Sequence, residues 1–255
     1  RIGDCALRYL SSYGVDISRV IRAGDRLGVF FFENGASARS NGCVYDRRYS
    51  AANLAKHTDF DWDKILRGVD CFYFTGVTPA VSDELARACK DALRACRAKG
   101  IVTACDLNYR GKLWSADKAR SVMTGLLPFV DICFAHDEDA AASLGIGSRS
   151  LASGLEQKDA YIQIDRDIIS KYGCRSVATV VRNVHGVEHS LWQALLVTDG
   201  GKKVCVSPIH HVHVLEGVGG GDAFGAGFMH AALHGFTPQQ TIDYAIAASV
   251  LKLTV

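Results

Sequence analysis

The sequence predicts an α/β fold: a mostly parallel central sheet covered on both faces by helices, with a small β-strand lid. Three observations carry this prediction. Short apolar runs alternate with longer amphipathic stretches, as in strand–helix–strand units whose sheet is buried on both sides. An aromatic pair of runs near the start is split by a polar, glycine-containing break. A run of glycines and an acid opens an apolar, small-residue stretch near the end.

Taken in order, residues 26–48 hold LGVFFFE and GCVYDRR around the break at 34–41 and read as two antiparallel strands. Their aromatic face has no obvious helical partner, which suits a lid or a subunit interface. Beyond it come CFYFTG as a strand, 83–99 as a helix, IVTACDLN as a strand, 115–127 as a helix and DICFA as a strand. Residues 137–144 read as a short helix and 165–171 as part of another, followed by the strand VATVVRN. Residues 191–198 and 203–214 suggest a more antiparallel edge, and 223–234 and 238–251 read as closing helices.

Composition fits an ordinary globular domain. The 255 residues are 48% hydrophobic and 22% charged, enough to bury a substantial core. A formal charge of +2 without a basic block argues against a nucleic-acid partner, whereas a small anion needs only a local positive site. No apolar run approaches a membrane span and the opening RIGDCALRYL lacks a signal peptide's apolar centre, so a cytoplasmic location is expected. Nine cysteines, an odd number with no CxxC pair, point to reduced thiols rather than a disulfide framework or structural zinc.

The most informative stretch is VGGGDAFGAGFMH, residues 218–230. Glycines let backbone N–H groups approach phosphate oxygens closely, and a helix start adds unpaired donors and a positive dipole end. Asp222 then stands where a hydroxyl could lose its proton. A glycine turn capped by an ordinary N-terminal Asp is the competing reading. A dinucleotide fingerprint fails in both registers, which place Asp222 or Phe224 where its last glycine belongs, and a Walker loop fails because Ala226 and Gly227 follow Gly225.

What remains resembles the Gly-x-Gly-Asp signature of the ribokinase-like, or PfkB, carbohydrate kinases, with Gly219, Gly220, Gly221 and Asp222 in those places. FTGVTPAVSDE from Phe74, DLNYRGKLWS from Asp106 and GDRLGVFFFE from Gly24 are similar to the same family, most nearly to members acting on 2-keto-3-deoxygluconate. The resemblance implies a ribokinase-like three-layer α/β/α sandwich over residues 1–255 with a lid at 24–50. It implies ATP and Mg2+ as cofactors, a small sugar acid as acceptor and a homo-oligomer formed through the lid. Family members begin with a further strand and a Gly-Gly-x-x-Asn segment that contacts the sugar, so a domain shortened at both ends is also expected. A fructokinase-like enzyme and a non-catalytic sugar-binding regulator with the same fold are the alternatives.

Site residues follow from the resemblance. Asp222 is expected as catalytic base and Gly219, Gly220 and Gly221 as the anion hole, with Gly219 and Gly221 also touching nucleotide. Tyr45, Arg47 and Arg110 would grip the sugar acid, for which a hydroxyl and planar guanidinium forks are suited; surface decoration and a surface salt bridge are the plainer readings. Phe30 falls where some relatives carry a ligand-facing Tyr, and Val77 would line the pocket or simply pack in the core. Asn183 and Gly186 are the expected nucleotide contacts. Relatives organise magnesium through Asn-x-x-Glu, but here the stretch is His136, Asp137, Glu138, Asp139, which leaves Glu138 or Asp139 as the candidates beside the reading of a solvated acidic helix start. His210, His211 and His213 are expected as polar strand residues, since alternation lets two at most share a face.

Overall fold

In the computed structural model, residues 2–35, 39–147, 154–184 and 189–255 are described. The chain opens with α1 (Ile2–Ser12), none of whose residues is buried. The hairpin of β1 (Val29–Glu33) and β2 (Gly42–Asp46) follows, paired antiparallel with Phe31 opposite Val44 and Phe30 opposite Tyr45. Two single-turn helices, α2 (Ala51–Leu54) and α3 (Trp62–Ile65), lead to β3 (Cys71–Thr75), α4 (Val77–Val81), α5 (Asp83–Lys99), β4 (Val102–Asp106) and α6 (Ala116–Leu126). Next come β5 (Ile132–Phe134), α7 (Asp137–Leu144), α8 (Lys158–Tyr172), β6 (Ser176–Val184), β7 (His189–Thr198), β8 (Lys203–Val206) and β9 (His210–His213). Two helices close the chain, α9 (Gly220–Leu233) and α10 (Pro238–Lys252).

The second sheet has seven strands. β3, β4, β5 and β6 lie side by side and parallel; β7 reverses against β6, and its outer edge carries β8 on one half and β9 on the other. Two successive reversals restore direction, so every strand but β7 points the same way. The mostly parallel sheet read from the sequence is therefore present, with its antiparallel part where expected.

Alternation along the strands divides the core into two faces. Cys105, Cys133, Val177, Leu195 and Val197 pack toward α5, α6 and α8, against Leu93, Met123 and Ile168. Their neighbours Ala104, Ile132, Phe134, Ala178, Ala194 and Leu196 pack toward α9 and α10, against Phe224, Phe228, Ile242 and Ile246. This is the three-layer arrangement, and the period of two in β4, β5 and β7 produces it.

Local sequence sets the helix bounds. In α5, the Ser82 side chain accepts from the Leu85 N–H, Asp83 and Glu84 occupy the first turn, Arg97 and Lys99 the last, and Gly100 stops the helix at φ +67°. Leu85, Ala88, Cys89, Ala92, Leu93 and Cys96 form its buried stripe. α9 starts earlier than expected: Gly220 and Gly221 are its first helical residues rather than a preceding loop, and Gly219, at φ +88°, makes the turn into it.

Nine free thiols are distributed through this fold; six of them are buried and only Cys5 is fully exposed. No described helix is long and apolar enough to cross a membrane.

Candidate active site

A cleft of about 730 Å³ opens at the carboxyl ends of β4, β5 and β6, between the hairpin and the start of α9. Ligands of open α/β sheets gather at this end of the strands. One wall is the α9 start, where Asp222 is the third helical residue and sits beside the first N–H groups, which have no intrahelical partner. The Ser249 hydroxyl of α10 donates to the Gly220 carbonyl at 2.8 Å, and the Leu215 and Glu216 N–H groups reach the Leu253 carbonyl, so the glycine segment is fixed from behind.

The hairpin supplies the roof. Phe30, Phe32, Cys43 and Tyr45 share its inner face and line the cleft, as does Arg47, one residue beyond β2. The Arg47 guanidinium lies 4.6 Å from the Tyr45 ring centre and 5.9 Å from that of Phe30, a cation–π arrangement in which its N–H fork meets no carboxylate among the described residues. Lys112, after β4, donates to the Cys43 carbonyl at 2.9 Å and ties the hairpin to the main domain.

The floor is built by DLNYR. Gly76 N–H donates to the Asp106 carbonyl at 2.8 Å, and a Cβ on Gly76 would stand 2.1 Å from the Leu107 carbonyl oxygen, so only glycine allows β3 and β4 to end this close together. That contact brings Val77 to the cleft edge. Arg110 also lines the cleft, and its charge acts on Tyr45, Asp106 and Asp139. Burial and the negative charges of Asp139 and Asp222 push Asp106 up to about 7, against the pull of Arg110 and the Asn108 N–H. Asp139 is likewise raised by burial, although it accepts from the Tyr109 N–H at 2.9 Å. Glu138 lines the cleft beside it, while the His136 ring is paired with the buried Asp137 carboxylate at 2.6 Å.

Most of the expected residues thus meet in one cleft: Phe30, Tyr45, Arg47, Val77, Arg110, Glu138, Asp139, Gly219, Gly220, Gly221 and Asp222. Asn183 is set apart from them. Strand alternation turns it to the opposite side of β6, where its Oδ1 accepts from the Leu155 N–H at 2.7 Å, and Arg182 faces the cleft instead. Gly186 lies outside the described residues. Asp106 and Arg182 were missed, although a signal existed for each: Asp106 opens a strand-end motif, and Arg182 falls in phase with Ala178 and Val180. His189 lies opposite His213 with ring centres 4.8 Å apart, and among the described residues no group of three or more His, Cys, Asp or Glu side chains is placed to hold a metal.

The pfkB family carbohydrate kinase model matches residues 1–255. The chain belongs to the pfkB family. Among pfkB relatives, a 2-dehydro-3-deoxygalactonokinase of Haloferax volcanii is 30% identical over 232 residues, covering 90% of this chain and 65% of that protein. A 2-dehydro-3-deoxygluconokinase of Thermoproteus tenax is 27% identical over 256 residues, 98% of this chain and 69% of that one. The crystal structure of a 2-dehydro-3-deoxygluconokinase from Thermotoga maritima is 36% identical, with a TM-score of 0.94 over 100% of this chain and 76% of that chain. This pfkB chain therefore spans about two thirds of the length of the curated relatives it matches, and its fold is ribokinase-like.

Proposed function

We propose that the protein is an ATP-dependent kinase that phosphorylates a hydroxyl of 2-keto-3-deoxygluconate, giving 2-keto-3-deoxy-6-phosphogluconate and ADP. The observation that carries this reading is the placement of Asp222, beside the first N–H groups of α9, in the same cleft as the guanidinium groups of Arg47 and Arg110, which form no ion pair among the described residues. Phosphoryl transfer asks a protein for positioning, charge stabilisation and a proton acceptor, and this cleft offers all three. Arg47, Arg110 and Tyr45 hold the acceptor's carboxylate end, which a neutral sugar lacks, and this favours the acid over a fructokinase-like substrate.

In the proposed reaction the acceptor hydroxyl lies against the Asp222 carboxylate. Its oxygen forms the new bond to the γ-phosphorus as the bond from that phosphorus to the β,γ-bridging oxygen breaks. The hydroxyl proton passes to Asp222 and ADP leaves. The glycine N–H groups meet the charge developing on the transferring phosphoryl oxygens. Glu138 and Asp139 present the hard oxygen donors that magnesium prefers, and Mg2+ entering with ATP would neutralise phosphate charge there.

The outer face of the hairpin exposes Phe31 and Val44, paired in register and 65% and 66% accessible. A second copy of the lid is the natural cover for this apolar pair, and the reading includes a homodimer or larger homo-oligomer joined there. Light scattering across a concentration series tests it, and a monomer throughout would remove it.

The deciding experiment measures ADP formed from Mg-ATP with 2-keto-3-deoxygluconate beside fructose, ribose and gluconate, with Asp222→Asn as control. Selective turnover of the keto-deoxy acid that falls by about 100-fold or more in the variant is the expected result. Equal turnover by the variant would overturn the assignment of the base, and preference for fructose would overturn the substrate.

A further inference from the structure

Behind the cleft, on the face of the sheet covered by α8, a carboxyl group that the proposed reaction does not use is shut inside the core. Asp165 of α8 is fully buried, and its hydrogen-bond partner is the buried Thr179 hydroxyl of β6. Among the described residues no arginine, lysine or histidine forms an ion pair with it. The titratable groups near it are neutral: the Cys133 thiol of β5 and, one turn earlier on α8, the Tyr161 phenol are both pushed up by burial.

The Thr179 oxygen lies 2.6 Å from the Ala135 carbonyl oxygen and 2.8 Å from Asp165 Oδ1. Both are hydrogen-bond distances, and a hydroxyl has one proton to give. A carbonyl oxygen can only accept, so the threonine proton belongs to the Ala135 contact. The second proton must then come from Asp165, which donates to Thr179 as a neutral acid. The other carboxyl oxygen agrees: Oδ2 is buried and meets no donor, a position far less costly for a carbonyl oxygen than for a bare charge. Burial accordingly holds this carboxyl well above the usual carboxylate range.

These bonds run from α8 through β6 to the end of β5. Ala135 directly follows β5 and lines the cleft, and its N–H donates to the Ala178 carbonyl at 3.1 Å. His136 comes next and opens α7, whose first turn brings Glu138 and Asp139 to the same cleft. With its N–H and its carbonyl both held, Ala135 sets where that turn begins.

We propose that Asp165 is a positioning residue that works as a neutral acid: its proton holds Thr179, Thr179 holds the Ala135 carbonyl, and together they fix the α7 start against the cleft. Its effect on turnover rests on the kinase reading above, whereas its protonation state does not.

Infrared spectra of the full chain in heavy water at neutral pH test the protonation. The carbonyl stretch of a neutral carboxylic acid stands apart from the bands of ionised carboxylates. A neutral-acid band is expected in the wild type that is lost in Asp165→Asn and shifted in Thr179→Val, so either variant identifies it if the other does not fold. Difference spectra of the wild type against these variants that contain no such band would overturn the proposal. Turnover tests the positioning. Asp165→Asn keeps an N–H donor for Thr179 and is expected to hold kcat within about 2-fold of the wild type. Asp165→Ala and Thr179→Val break the chain of bonds and are each expected to lower kcat about 5-fold, the worth of one neutral hydrogen bond. Wild-type kcat in Thr179→Val would overturn the positioning role. A wild-type chain that shows the band but phosphorylates no acceptor would overturn the kinase reading and leave the neutral Asp165 standing.

Discussion

The hydroxyl of Ser249, near the end of α10, donates to the carbonyl of Gly220, the first residue of α9, over 2.8 Å. Ser249 is fully buried, so this bond fixes the helix start that presents Asp222. Ser249→Ala is expected to cost about 1 kcal/mol of stability, visible as a lower denaturation midpoint. It should also lower kcat more than KM. A lower midpoint with unchanged kcat would mean that the bond serves the fold alone.

The two guanidinium groups of the proposed acceptor site make a sharper kinetic prediction. Arg47→Ala and Arg110→Ala are each expected to raise the KM for the keto-deoxy acid about 10-fold or more, the range for a hydrogen bond to a charged group. The KM for ATP should stay within about 2-fold in Arg47→Ala, because Arg47 rests on Tyr45 in the lid. Parallel rises in both constants would place Arg47 outside the acceptor site.

Asp106 predicts a pH dependence of stability. Its folded value is pushed from 3.8 up to about 7, chiefly by burial and then by Asp139 and Asp222. The folded chain holds this proton more tightly than the unfolded chain, so the contribution is full below pH about 4 and is lost as pH rises through about 7. Urea midpoints measured from pH 4.5 to 8 should fall in the wild type more steeply than in Asp106→Asn, which carries no titrating group there. Identical slopes would assign the effect to Asp139 or to Asp165, both also raised by burial.

Gly76→Ala tests the joint between β3 and β4. The added methyl would stand 2.1 Å from the Leu107 carbonyl oxygen, and backbone rather than a pliable side chain must give way. A loss of about 1–3 kcal/mol or more is expected, measured by chemical denaturation. Wild-type stability would mean that the two strand ends separate freely.

The sheet and its helices were legible because period two and period 3.6 are written plainly: the runs at β4 and β5 alternate between two buried faces, and α5 carries capping residues at both ends. The place of the glycine–aspartate segment at a helix start was legible because that signal is local. The facing of Asn183 was not legible because a strand-end loop reveals its composition before its facing, and only the pairing of β6 with β7 settles that Arg182 is the residue turned into the cleft. The state of Asp106 was not legible for a related reason. It depends on Asp139 and Asp222, which lie far along the chain and converge only in the folded molecule.

The buried thiols have a practical consequence. Cys89, Cys105, Cys133 and Cys174 lie on the face covered by α5, α6 and α8, whereas Cys205 lies under α10 on the other. Burial pushes Cys89 and Cys174 up to about 12 and suppresses the thiolate, the form that reacts. An alkylating reagent can therefore mark these sites only when the helices above them lift away. Mass spectra taken at intervals would then clock the opening of each layer separately, with the exposed Cys5 as an internal measure of reagent strength.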